Sequence, residues 1–292
     1  MTARPPNVLL LGAGYTLTKL AHALPPNSVV LSVTSPEKQS QLLGLGYQVE
    51  VVELNRSDSL SKLFQKYQSI DTVIDSVPPP RFGDVTAGAQ ALLKVMPSTV
   101  SRLFYLSSTG VYGKTDGSWV TEESGCTPIS PSGEARLHVE ELYFSQAPCP
   151  VTSFRLSGIY GPGRGVGLRM RDGTYTLTDD DSRFTNRVHV DDIVGILHQA
   201  LHWGERLPSI LNVSDDAPAL ATEVVDYYIK RFDFSPPLRL ERSAAQEVGR
   251  HRLLLNQRVD NRFVKKIFSY EFTFPSYRAG AGSEFAEGAI SS

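Results

Sequence analysis

The hydrophobic pattern changes period within the first two dozen residues. Val8, Leu9, Leu10 and Leu11 are continuously apolar, Gly12-Ala13-Gly14 follows at once, and Leu17, Leu20, Ala21 and Leu24 then recur at helical spacing. The unbroken run reads as a strand buried on both faces and the recurrence as a helix, so Asn7 to Ala23 predicts strand, glycine turn and helix. The alternation continues. Ser28–Thr34 (SVVLSVT), Gln48–Leu54 (QVEVVEL), Asp71–Val77 (DTVIDSV), Ser101–Leu106 and Val151–Leu156 have strand patterns. Between them Gln39–Leu45, Asp58–Tyr67 (capped by Ser57 or Asp58), Ala87–Met96 and Ser132–Tyr143 have helical ones. Later, Val188–Leu201 and Thr222–Arg231 predict helices, Ser209–Val213 a strand, and Asn256–Phe268 short closing elements. Strand and helix in regular succession predict an α/β fold, doubly wound, with a mostly parallel sheet covered on both faces. The rhythm breaks at Arg164–Arg187, polar and glycine-containing, which reads as a mobile excursion, and again from about Asp215 onward. These stretches would form a smaller lobe. The chain after Tyr277, rich in Gly, Ala and Ser, reads as a poorly ordered tail.

Composition narrows the function classes. In 292 residues, 41% are hydrophobic and 21% charged, with a formal net charge of −2, which gives no basic footprint for nucleic acid or an anionic membrane surface. No apolar run approaches the roughly 20 residues that cross a bilayer, and the N-terminus lacks a signal-peptide layout. The two cysteines, Cys126 and Cys149, have no metal-type spacing. A reduced, cytoplasmic setting with inert thiols and no metal is therefore expected.

The glycine turn carries the first candidate chemistry. Gly12 lets the chain turn tightly, and Gly14 leaves room for backbone to approach a pyrophosphate. The helix from about Tyr15 through Thr16 then offers N–H groups and a positive dipole end to phosphates. Leu17 stands where a third glycine is usual, so the motif reads GxGxxL and implies wider helix–strand spacing there. At the end of the second strand, Thr34, Ser35 and Lys38 could hold a 2′-phosphate, which favours NADP. Glu37 close by could instead take a free 2′-hydroxyl, so NAD stays open. Glu53 and Leu54 fall where an adenine would lie, and the stiff Pro78-Pro79-Pro80 turn falls at the carboxyl edge of the sheet, where ligands bind in such folds.

Five stretches together resemble the extended short-chain dehydrogenase/reductase family, the NAD-dependent epimerase/dehydratase-like group. They are Gly12-Ala13-Gly14-Tyr15, Leu106-Ser107-Ser108-Thr109-Gly110-Val111-Tyr112-Gly113, Arg155-Leu156-Ser157-Gly158-Ile159-Tyr160-Gly161-Pro162-Gly163, Arg187-Val188-His189-Val190-Asp191-Asp192-Ile193 and Leu211-Asn212-Val213-Ser214. The resemblance implies a Rossmann-type domain over 1–163 and 188–214 and a smaller C-terminal substrate lobe over 164–187 and 215–277, with 278–292 as the tail. It implies a nicotinamide cofactor, and substrate held between the two lobes. Cofactor contacts would then fall on the glycine turn, on Thr34, Ser35, Lys38, Glu53 and Leu54, on Ser76, Val77 and Pro78, on Ser107, and on Leu156, Ser157 and Gly158.

The same comparison exposes a departure. The family's strand-end Ser or Thr falls on Ser108, but its YxxxK register falls on Ser132-Gly133-Glu134-Ala135-Arg136. In the family the tyrosine hydroxyl moves the proton of a carbonyl/alcohol pair, and serine is a far weaker acid on a shorter side chain. Arg136 can keep the lysine's hold on a ribose hydroxyl with different geometry. Tyr112 is the first alternative proton donor; Glu134, Tyr160 and His189 follow. Arg164, Arg169, Arg171 and Arg183 leave an anionic small-molecule substrate open, and the helices Ala87–Met96 and Ser132–Tyr143 leave monomer and homodimer open. Two functions stay in play: an NAD(P)-dependent oxidoreductase or epimerase with a rearranged proton relay, and an NADP(H)-binding sensor or structural protein without hydride transfer. A lyase or isomerase is a third, which the sequence does not separate from the first.

Overall fold

The computed structural model describes residues 8–54, 57–179, 182–247 and 251–286. Asn7, the side chain of Ser57 and the tail beyond Ala286 lie outside the described residues. Seven strands form the central sheet, in the order Ile210–Val213, Val151–Leu156, β5 (Arg102–Ser108), β4 (Thr72–Asp75), β1 (Val8–Leu11), β2 (Val29–Val33) and β3 (Gln48–Val51). β1 pairs in parallel with both β2 and β4, β2 with β3, and β4 with β5. The connecting helices are α1 (Tyr15–His22), α2 (Pro36–Gly44), α3 (Ser57–Lys66), α4 (Ala87–Val95) and α5 (Pro131–Gln146). The expected doubly wound α/β architecture is the one observed. β1 is buried throughout because helices cover both faces of the sheet, which is why its sequence is continuously apolar rather than alternating.

Where boundaries differ from expectation, local chemistry explains it. β2 ends at Val33 and α2 starts three residues earlier than its apolar spacing suggests. Ser35 caps α2 by accepting a hydrogen bond from the Lys38 N–H at 3.2 Å, and Pro36 takes the first helical position, where a missing N–H costs nothing. β4 stops at Asp75, whose carboxylate turns back to accept from the Val77 N–H at 2.9 Å.

The chain divides into two compact units. The first comprises Met1–Ser107, Ala135–Arg155 and Val194–Leu211; the second comprises Ser108–Glu134, Leu156–Ile193 and Asn212–Ser292. This cut gives 108–134, 156–163, 188–193 and 212–214 to the second unit, where the sequence assigned them to the first. The first unit's core runs from Leu9 and Leu11 through Val73 and Leu103 to Val139 and Tyr143.

The second unit corrects two expectations. The 164–187 stretch is not an open excursion: it holds a helix, Val166–Arg171, and short strands Thr176–Thr178 and Phe184–Thr185. Val166, Met170, Tyr175 and Leu177 pack there with Val224, Val225 and Tyr228. Nor does the chain loosen between Tyr277 and Ala286. Tyr277–Gly280 and Ala281–Phe285 are helical turns, and Tyr277, Ala281 and Glu284 are buried. The Glu284 carboxylate accepts from the Gly167 N–H at 2.7 Å and from the Tyr228 hydroxyl, so the segment caps the short helix it covers. Burial raises the Glu284 carboxyl above the usual carboxylate range. Among the described residues no helix is long and apolar enough to cross a membrane.

Candidate nucleotide site

The first unit carries the glycine turn at the carboxyl end of β1. Gly12 has φ +78°, a backbone that L side chains avoid. A Cβ there would fall 2.6 Å from Val77 Cγ2 and 3.2 Å from the Val77 nitrogen, so only glycine fits between β1 and the turn after β4. The Gly12 N–H donates to Ser32 Oγ at 2.9 Å and the Ala13 N–H to the Ser32 carbonyl at 2.8 Å, which tie the turn to β2. Gly14 is different: a Cβ there would meet only the Gly12 carbonyl, at 3.8 Å, so its outer face is open to an approaching group. No side chain caps α1 and its first turn has no acidic residue, so nothing in the helix itself offsets its positive end. Leu17, by contrast, is fully buried and Thr16 nearly so. Their side chains pack into the core, so the N–H groups at the start of α1 are what this stretch offers to a ligand.

Beside the turn lies a cavity of about 520 Å³, within the range of small-molecule sites. Thr34 from the end of β2, Glu53 and Leu54 after β3, and Val77 and Pro78 after β4 line it, so the structure brings together five of the residues named from sequence. Ser35 and Lys38 do not line it; Ser35 is engaged as the α2 cap. Ser76 is half-buried and its N–H pairs with the Leu11 carbonyl at 3.0 Å, which locks β4 to β1 at the edge of the site.

Asp75, which the sequence reading passed over, forms part of the cavity wall. It is buried, with Oδ2 accepting from the Tyr143 hydroxyl at 2.6 Å and Oδ1 from the Val77 N–H at 2.9 Å. Burial pushes its carboxyl up to about 6, against the opposing pull of those two hydrogen bonds and of the Arg136 charge. An acid at the end of an otherwise apolar strand, DTVIDSV, is a signal the sequence did contain. Arg136, on the inward side of α5, donates from Nη1 to the Leu106 carbonyl at 3.0 Å. Tyr105 is buried beside it, and burial holds its phenol well above the ordinary range. Ser107 Oγ is buried without a hydrogen-bond partner among the described residues.

The second unit holds the remaining candidates. Ser108 Oγ accepts from the Gly110 N–H at 3.1 Å and caps the short turn Thr109–Val111. Tyr112 is fully buried and donates its hydroxyl to Asn212 Oδ1 at 2.7 Å, so it is built into the core. That corrects its candidacy as the substitute proton donor. Ser132 is exposed on the first turn of α5, as is Glu134. Leu156 is buried, Ser157 Oγ is buried without a partner among the described residues, and the Gly158 N–H pairs with the Asn186 carbonyl at 3.1 Å. Tyr160 donates to the Ser276 carbonyl at 3.1 Å, and His189 stacks on Phe274 at 3.7 Å between ring centroids. Both are packing residues. Asp192 accepts from the Thr273 and Phe274 N–H groups at 2.7 and 3.0 Å, a structural anchor. Arg169 lies over the Tyr175 ring, Arg171 pairs with Asp172, and Arg183 is buried, so these arginines do not form a common anion patch.

The model of the NAD dependent epimerase/dehydratase family matches residues 8–214. The chain belongs to this family. It is 29% identical over 140 residues to the 3-diazoavenalumate denitrifying reductase of a Streptomyces species, an alignment covering 44% of this chain and 45% of that protein. The chain spans about half the length of the curated relatives it matches. A solved structure of a functionally unknown conserved protein from Silicibacter pomeroyi superposes with a TM-score of 0.78 at 26% identity, over 94% of this chain and 96% of the other. The UDP-glucuronic acid 4-epimerase of Bacillus cereus, solved with NAD, superposes with a TM-score of 0.75 at 21% identity, over 95% and 96% of the two chains, a likeness of fold. The family's dinucleotide fits the residues present. Gly12 can adopt the turn, Gly14 is open to a pyrophosphate, and the orphaned Ser107 hydroxyl at the end of β5 is the kind of buried group that a bound ligand satisfies.

Proposed function

We propose that this family member binds NADP(H) and is an oxidoreductase or epimerase acting on a small molecule, with a proton relay different from the family's tyrosine. The carrying observation is the glycine turn, closed by Val77 at Gly12 and open at Gly14, beside a cavity lined by Thr34, Glu53 and Leu54. Gly14 and the start of α1 would hold the pyrophosphate, Glu53 and Leu54 the adenosine, and Ser107 and Arg136 the nicotinamide ribose. The bound nicotinamide would supply hydride-transfer capacity. Thr34 at the cavity and the N-terminus of α2 with Lys38 favour a 2′-phosphate, hence NADP over NAD. Arg136 keeps donors beyond the one given to Leu106. Ser108 would supply a substrate hydrogen bond.

A second reading, an NADP(H)-binding sensor or structural protein without hydride transfer, draws on a specific observation: Ser132 stands where the resemblance puts the family's tyrosine, and Tyr112, the first alternative named from the sequence, is committed to Asn212. Titration calorimetry with NADP, NADPH, NAD and NADH tests the shared premise. Micromolar binding of the phosphorylated pair is expected; binding of none of the four refutes both readings. Substrate-dependent loss of the absorbance of bound NADPH across a carbonyl panel then supports the enzyme reading, and its absence in a protein that binds NADPH supports the sensor.

A further inference from the structure

The β1–β4 register sets Asp75 level with Leu11, one residue before Gly12. Its Oδ1 holds the N–H of Val77, and Val77 is the residue packed against Gly12. Asp75 thus fixes the surface on which the glycine turn rests, while its own carboxyl forms part of the adjoining cavity wall. Among the described residues no basic side chain bonds it: its partners there are a phenol and a backbone N–H. We propose that Asp75 makes dinucleotide binding proton-coupled, the protein taking up a proton at this carboxyl when a pyrophosphate settles on the glycine turn. The inference rests on the cofactor reading above.

The physical basis is Coulombic. An anion arriving over Gly12–Gly14 disfavours a second negative charge one residue away, in a site where burial already disfavours it. The groups facing Asp75 are few. From α5 come Tyr143, whose hydroxyl stabilises the charged form, and Arg136, whose charge does the same. From β5 comes Tyr105, whose phenol is kept neutral by burial. β1 presents only Leu11 at this level, and α4 presents Gly88 and Ala89 to the cavity. Glu53 and Asp84 are the other acidic cavity residues, both exposed. The free carboxyl titrates at about 6. A bound pyrophosphate raises that value, so affinity is highest in acid and falls as pH rises between the free and bound values. One unit of coupling corresponds to about tenfold in affinity.

Calorimetry of the full chain with NAD, whose phosphates do not titrate in this range, tests this in two buffers of different ionisation enthalpy from about pH 5.5 to 8. If NAD is too weak to follow, NADP is used and the Asp75→Asn profile is subtracted. Proton uptake and about tenfold weaker binding at the alkaline end are expected for the wild type. Asp75→Asn, which keeps an acceptor for Val77, should bind with acid-limit affinity at every pH and take up no proton. Tyr143→Phe removes a hydrogen bond that favours the charged form, so its profile should move to higher pH, a shift that a purely structural role would not give. Binding without proton uptake, or an unchanged profile in Asp75→Asn, overturns the proposal while leaving the cofactor reading intact; no binding at any pH removes the cofactor reading itself.

Discussion

Gly12 is where one methyl group decides most. Alanine would have to adopt φ +78° and place its Cβ 2.6 Å from Val77 Cγ2. Backbone strain alone costs about 1–3 kcal/mol, and moving Val77 displaces the turn after β4. Gly12→Ala should keep its circular dichroism spectrum and lose at least about tenfold in nucleotide affinity by titration calorimetry. Asp75 yields a prediction about stability. Its folded value near 6 lies above the ordinary 3.8, so the native state binds the proton more tightly than the unfolded chain. Stability contributed by that proton is present below about 4 and is lost as pH rises through 6. Asp75→Asn should therefore be more stable than wild type near pH 8, by on the order of 2–3 kcal/mol, and converge with it near pH 4. Denaturant melts at both pH values read this directly; equal gains at both would show that the effect is packing. The glycine turn was legible because its chemistry is local. Asp75 was not singled out because a lone acid in an apolar strand shows neither its burial nor its phenol partner until β4 and α5 are brought together.

The helix α5 shows why some elements are legible in outline and opaque in role. Arg136, Val139, Glu140 and Tyr143 recur at three- and four-residue steps, which predicts the helix, yet the stripe is half polar. In the structure that face is the buried one. Glu140 is 1% exposed and holds Arg155 at 2.6 Å and Ser153 Oγ at 2.8 Å, so the polar positions pair inside and do not face water. Period alone does not distinguish a solvated charge from one whose partner lies some fifteen residues further on in a strand. Removing one partner leaves a buried charge uncompensated, so Glu140→Ala should cost about 3–5 kcal/mol in denaturant melts. Arg136 and the exposed Ser132 share α5, and Ser132→Ala should leave stability within about 0.5 kcal/mol. The same reasoning covers 164–187, which looked polar because its arginines lie over rings and within turns: Arg169 covers Tyr175 at 4.9 Å while Leu177 and Met170 fill the core.

Each unit carries a core cluster of its own, Leu9, Val73 and Leu103 in the first and Val166, Val224 and Tyr228 in the second. The parallel sheet of the first unit was legible from alternation, whereas the closing segment of the second was not. Small residues there look like a tail, but their size is what allows close approach: a Cβ on Gly280 would fall 2.5 Å from the Tyr160 hydroxyl. Glu284 completes the arrangement by capping Val166–Arg171 and meeting Tyr228, an interaction between residues more than fifty positions apart. Ending the chain at Ser276 should therefore unlock the helix at Val166–Arg171 and the face of Ala221–Phe232 that carries Val224 and Tyr228. Hydrogen exchange should show faster amides in those two segments of the truncated protein, since their local opening no longer breaks a packed core. Nucleotide at about 100 times its dissociation constant should still stabilise the first unit, by about 2.7 kcal/mol through mass action, and protect amides in β1, α1 and β4. If truncation left Val166–Arg171 as slow as in the full chain, Glu284 would be a passenger on a helix held by Val166 and Met170 alone. If it abolished the nucleotide-dependent protection of β1 as well, the two units would not fold independently, and the glycine turn would depend on packing in the second unit for its shape.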